Sequence, residues 1–146
     1  MRVILGADHG GFRMKEDIKA MLERMGLEVV DVGNSVLDTD DDYVDFAVKV
    51  AQKVVADSGA RGILFCRNGI GMSITANRFV GVRCGLVFNE ETTKKGRTDD
   101  DINILSLPAD YISNEEAEKM VRVFMETEFD GRERYQRRIN KLDEVK

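Results

Sequence analysis

Proline occurs once in this chain, histidine once and cysteine twice. Two cysteines, Cys66 and Cys84, do not make a disulfide framework, and nothing points to export. A lone His9, with cysteines that lack zinc spacing, offers no metal site. No apolar run approaches the ~18 residues that a membrane span needs. The opening Met-Arg-Val-Ile-Leu-Gly is too short, and broken too soon by Gly6, for a secretory signal, so a cytoplasmic protein is expected. One proline, with apolar residues in every segment, excludes a disordered chain. There is no P-loop Gly-Lys-Ser/Thr, and Gly6-x-x-x-Gly10-Gly11 is not a dinucleotide fingerprint. Internal repeats, low-complexity tracts and linkers are also missing.

What is present suits one α/β domain over residues 1–146. The chain is 42% hydrophobic and 34% charged, enough for one sizeable core. Its net charge of −5 argues against general nucleic-acid binding. Asp38 to Asp42 carries four acids in five residues, and Asp99 to Asp101 carries three in a row. Arg132, Arg134, Arg137 and Arg138 cluster near the C-terminus. Each run reads first as a solvated face, although the Arg cluster also suits a small anion.

Short apolar runs alternate with helical periodicity. Strands are predicted at Arg2 to Ala7, Glu28 to Val32, Arg61 to Cys66, Val82 to Phe88 and Ile102 to Leu107. Met14, Ile18, Met21, Leu22 and Met25 mark a helix that Gly26 stops. Tyr43, Phe46, Ala47, Val50 and Val54 mark a second, and Met72 to Phe79 and Glu90 to Thr98 suit two more. Ser113-Asn114-Glu115-Glu116 is a capping box that opens another. A last helix, Arg132 to Leu142, has little apolar surface of its own and needs a partner or a site to cover. The expected fold is a three-layer, Rossmann-like α/β domain with a five-stranded parallel sheet and a C-terminal helical tail. In a flavodoxin-like order the first and third strands adjoin, and ligands bind beyond their carboxyl ends.

The loops leaving those two strands are Asp8-His9-Gly10-Gly11 and Cys66-Arg67-Asn68-Gly69-Ile70-Gly71. Gly69 and Gly71 allow a tight turn with exposed N–H groups before a helix, a nest that favours phosphate or an enolate oxygen. A thiol there would have its pKa lowered by the helix dipole and could serve as a general base. The alternative is a buried structural Cys66 followed by an ordinary glycine turn. His9 divides in the same way between a structural hydrogen-bonder and a ligand. Cys84, inside an apolar strand, reads as structural.

Gly6-Ala7-Asp8-His9-Gly10-Gly11-Phe12 resembles the opening of the ribose-5-phosphate isomerase B family, which also contains galactose-6-phosphate isomerase subunits. Cys66-x-x-Gly69-Ile70-Gly71-Met72-Ser73-Ile74-x-Ala76-Asn77 is similar as well. So is Glu128-Phe129-Asp130-Gly131 followed by Arg134-x-x-Arg137-Arg138, with one inserted residue. The resemblance covers nearly the whole chain in one order. It implies aldose–ketose isomerisation of a phosphosugar through a cis-enediolate, with no metal or organic cofactor. It also implies a homodimer or dimer of dimers with active sites shared between subunits, and no nucleic-acid or membrane partner. By position, Cys66 is the base, and backbone N–H groups of Arg67, Asn68, Gly69, Ile70 and Gly71 form the anion hole. Asp8 and Tyr43 contact substrate hydroxyls, while His9, Arg134 and Arg138 hold the phosphate.

The chain departs from the pattern in places. Asp99-Asp100-Asp101 stands where the family usually has His-Asn-Asp, whose His is credited with ring opening and whose Asn touches substrate. Arg67-Asn68 replaces Gly-Thr, Asp110 replaces an Arg, and Tyr135 replaces a His. Charge balance suggests that Arg67 pairs with Asp99, Asp100 or Asp110. Three readings follow: a pentose- or hexose-phosphate isomerase in which Asp99 or spontaneous opening replaces the His; an isomerase of an open-chain phosphosugar such as a tetrose 4-phosphate; and a non-catalytic phosphosugar-binding paralogue or hetero-oligomer subunit.

Overall fold

A computed structural model describes residues 1–145. Three segments, β1 (Arg2–Ala7), β3 (Arg61–Cys66) and β5 (Ile104–Pro108), are buried almost end to end, as parallel strands covered on both faces must be. They form the middle of a five-stranded parallel sheet, flanked by β2 (Glu28–Asp31) and β4 (Cys84–Leu86) in the order β2-β1-β3-β5-β4. Register runs Leu5 against Ile63 and Leu64 against Ser106. The adjacency of β1 and β3 follows the flavodoxin-like order. At the far edge β5 lies inside β4, so the outer pair is exchanged relative to 2-1-3-4-5. The fully buried five-residue β5 takes the inner place, and the three-residue, half-buried β4 takes the edge. A short edge strand offers little to pair with.

Alternate side chains leave the two faces of the sheet. Val3, Leu5, Ala7, Ile63, Phe65, Leu105 and Leu107 meet α1 (Phe12–Arg24) and α5 (Asn114–Glu126). Ile4, Leu64, Cys66 and Ile104 meet α2 (Tyr43–Ala56) and α3 (Ile70–Ala76). Helix α4 (Glu90–Asp100) returns the chain from β4 to β5, and α6 (Glu133–Asp143) packs beside it with only Ile139 buried. Gly26 ends α1 at φ +77° and the capping box opens α5, both as the sequence predicts. None of the helices described is long and apolar enough to cross a membrane.

The strongest departure from the sequence reading is at α3. It begins at Ile70 and ends at Ala76, whereas periodicity suggested Met72 to Phe79. Gly69, at φ +73°, turns the chain in a single residue, so Ile70 and Gly71 already lie in the first helical turn.

Candidate active site

The first loop is built by the close approach of two backbones. The Asp8 N–H donates to the Phe65 carbonyl at 3.4 Å. A Cβ on Gly11 would stand 2.3 to 2.5 Å from Phe65 main-chain and Cβ atoms, so only glycine lets the loop lie against β3. Asp8 is buried, and its Oδ1 accepts the N–H groups of Gly10 at 2.9 Å and Gly11 at 3.1 Å. Burial raises its pKa, opposed by those N–H bonds and by His9.

Cys66 ends β3 directly beside this loop. Its Sγ accepts the Gly69 N–H at 3.1 Å. The sequence reading expected a lowered thiol pKa, but the balance runs the other way. Burial pushes the thiol up and the Asp8 charge adds to it, outweighing N–H bonds from Gly69, Met72 and Asn68. The loop itself is fixed at three points. Ser106 Oγ, fully buried in β5, donates to the Gly69 carbonyl at 2.8 Å. Asn68 Oδ1 accepts the Ile70 N–H at 3.0 Å. The Tyr43 ring lies over Gly71, where a Cβ would come within 2.6 Å of it.

Arg67 pairs with Asp110 at 3.3 Å, and its stem crosses Gly10. Of the three acids suggested as its partner, the one after β5 is used. Both side chains remain open to solvent beside the first loop, so the pair is an adjustable charge at the mouth of the site rather than a buried brace.

Asp99, Asp100, Arg134 and Arg138 do not join this group within one chain. Helix α4 carries Asp99 and Asp100 back to the amino edge of the sheet. The segment after α5 lies at that edge as well: Arg61, at the start of β3, pairs with Glu128 at 3.9 Å and donates to the Phe124 carbonyl. Arg97 Nε donates to the Thr127 carbonyl at 3.0 Å. Asp99 Oδ1 accepts the Thr98 hydroxyl at 2.7 Å. The pKa of Asp100 is raised by burial and by Asp99, with Arg138 opposing. Thus Arg138 faces Asp100 and Arg132 faces Asp99, while Cys66 and His9 lie at the other end of β3.

Sequence reasoning missed two parts. Asp41, counted within a solvated acidic run, is nearly buried and holds His9 at 2.8 Å. Ser106 anchors the Cys66 loop; a single polar residue in an otherwise apolar strand was its signal. Among the described residues no group of three or more His, Cys, Asp and Glu is placed to hold a metal ion.

This arrangement of loops has counterparts. The ribose/galactose isomerase profile matches residues 3–142. The ribose 5-phosphate isomerase of Thermotoga maritima superposes with a TM-score of 0.94 at 40% identity, covering 99% of this chain and 98% of that one. Ribose-5-phosphate isomerase B of Mycoplasma genitalium, solved with bound ribulose-5-phosphate, gives 0.95 at 37% identity, covering 98% and 94%. Ribose-5-phosphate isomerase B of Mycobacterium leprae is 36% identical over 144 residues, 99% of this chain and 89% of that protein. By profile, sequence and backbone alike, the chain belongs to the ribose/galactose isomerase family.

Proposed function

We propose that this protein interconverts an aldose phosphate and a ketose phosphate through a cis-enediolate, with Cys66 as the base. The observation that carries the reading is a thiol facing backbone N–H donors, with Asp8 and His9 alongside, at the carboxyl ends of the adjoining strands β1 and β3. Cys66 as thiolate takes the proton from the carbon next to the carbonyl and returns it to the former carbonyl carbon, while the hydroxyl proton of the first carbon's oxygen passes to the former carbonyl oxygen. Backbone donors of residues 67 to 71 hold the enediolate oxygens, the Gly69 and Ile70 N–H groups by sharing or giving up their bonds to Cys66 Sγ and Asn68 Oδ1, and such dipoles stabilise the transition state more than the ground state. Asp8 spends one oxygen on Gly10 and Gly11, which leaves the other for a substrate hydroxyl. Tyr43, at the start of α2, contacts a second hydroxyl.

The phosphate is held by His9 together with Arg134 and Arg138 of a second copy, and Asp99 and Asp100 arrive with them. These two Arg are four apart on α6, hence on one face. Exposed Ile70 and Ile74 on α3, with Val44 on α2, supply an apolar surface for that copy to cover. Residues 1–146 work as one domain, and no cofactor enters the chemistry.

A specific observation favours an open-chain substrate over a furanose. Ring opening needs an acid, and Asp99 stands where the family has His. Its Oδ1 is engaged by the Thr98 hydroxyl at 2.7 Å, so that oxygen is not free to serve a ring oxygen. A tetrose 4-phosphate cannot close a furanose, because its O4 is esterified. A phosphosugar panel, read by product formation and by solvent deuterium entering at C2, tests both points. We expect conversion, with kcat/KM higher for the tetrose 4-phosphate than for ribose 5-phosphate. Ribose 5-phosphate as the clearly better substrate overturns the open-chain reading. Tight binding without conversion or exchange overturns catalysis and leaves a phosphosugar-binding paralogue.

A further inference from the structure

The acidic loop before α2 reaches into the site at one point. His9 Nδ1 lies 2.8 Å from Asp41 Oδ1, and the same oxygen accepts the His9 backbone N–H at 3.0 Å. Asp41 Oδ2 accepts Asn34 Nδ2 at 3.0 Å. The Asn34 carbonyl accepts from Lys15 Nζ at 3.2 Å, and fully buried Lys15 is itself tied to Asp31. The carboxylate is therefore fixed at both oxygens and only 8% exposed, whereas the imidazole is 28% exposed. Among the described residues, His9 Nε2 makes no hydrogen bond to protein.

We propose that Asp41 is a positioning residue that keeps the His9 proton on Nδ1 and turns Nε2 toward the open cleft. A carboxylate can only accept, so the ring nitrogen facing it must donate. In the neutral ring Nε2 is then a bare acceptor. It can take a hydrogen bond from a sugar hydroxyl as it stands. To face a phosphate oxygen it must first gain a proton, which makes phosphosugar binding and proton uptake one event. This consequence rests on the phosphate role proposed above for His9. The tautomer itself does not.

Because His9 is the only histidine, one imidazole pattern appears in a nitrogen–proton correlation spectrum of the labelled protein. We expect the neutral ring to carry its proton on Nδ1. Asp41→Ala should return it to Nε2, the form that a free histidine side chain prefers in water. Asp41→Asn keeps an acceptor oxygen without the charge, and should restore the Nδ1 form. A wild-type ring protonated on Nε2, or one unchanged in Asp41→Ala, overturns the proposal. In turnover, Asp41→Ala should raise KM for a phosphosugar about tenfold, the worth of one hydrogen bond, with kcat little changed. It should add nothing once His9→Gln is present. An undiminished effect in the His9→Gln background overturns the positioning role. An Nδ1-protonated ring that Asp41→Ala releases, in a protein without isomerase activity, upholds the proposal and removes the function it was attached to.

Discussion

At Cys66 two influences oppose each other. Burial holds the thiol proton on, helped by the Asp8 charge, and the Gly69, Met72 and Asn68 N–H groups favour the thiolate. Burial wins, so at neutral pH the free protein holds little thiolate. Alkylation by iodoacetamide should therefore climb with pH toward a midpoint above the ordinary 9.0. Cys84 will not confuse the measurement, because burial pushes its thiol up to about 12. A midpoint below 9.0 would show that the N–H groups dominate instead. Cys66→Ala should cost about 10²–10⁴ in turnover, the usual worth of a positioned base. The position of Cys66, after a buried strand and before a glycine turn, was legible in the sequence. The sign of its pKa shift was not, because a dipole argument contains no measure of burial depth. Asp41 was hidden for a related reason. Its neighbours in the acidic run are exposed, and composition averages one inward residue with four outward ones.

Among the elements, the first loop and β3 are matched by shape rather than by charge. Gly11→Ala would place a methyl inside 2.5 Å of Phe65 main-chain atoms, and a strand in the middle of a sheet cannot give way. The expected cost is about 1–3 kcal/mol or more, read as a lowered urea midpoint, together with weakened substrate binding. Stability unchanged from wild type would mean that the loop sits further from β3 than described. The β2 edge is held differently. At Asp31 burial works against ionisation, but hydrogen bonds from Lys15, Gly33 and Lys19 outweigh it, and the carboxyl stays below its ordinary value. Its contribution is complete above the unfolded carboxyl pKa, near 4, and is lost as pH falls through the lower folded value. Asp31→Asn leaves a fully buried Lys15 without its main partner, and should cost about 3–5 kcal/mol at pH 7. That difference should shrink in urea unfolding below about pH 4, where wild type loses the same interaction. A gap that persists undiminished at low pH would place the cost in packing. The elements themselves were readable from apolar periodicity, with ends off by a few residues wherever one glycine or one buried neighbour decided them. The exchange of β4 and β5 was not readable, because sequence order does not say which of two short strands takes the edge.

On the scale of the whole molecule, β3 separates the two groups of residues to which the proposed function assigns roles. Its six residues, at about 3.3 Å per step, hold the Cys66 loop and the Arg61 end roughly 17 Å apart. One end carries Cys66, the proposed base, with Asp8 and His9; the other carries Asp99 and Asp100 with α6, the helix of Arg134 and Arg138. If these groups serve one small sugar, as proposed above, a single chain cannot supply them all, and a two-fold pair of chains would close two equivalent sites at once. The tail's polar surface is consistent with this, since α6 buries only Ile139 against its own chain. The arrangement makes a prediction that no monomer can satisfy. Cys66→Ala and Arg134→Ala should each be nearly inactive at low substrate concentration. Unfolded together in equal amounts and refolded, they should regain about a quarter of wild-type sites, because half of random pairs are mixed and each mixed pair has one intact site. The same proteins mixed without subunit exchange should regain nothing. No recovery after refolding, with mixed pairs present by mass, would place the base and the arginines in the same chain's site. The phosphate would then have to be held without the tail.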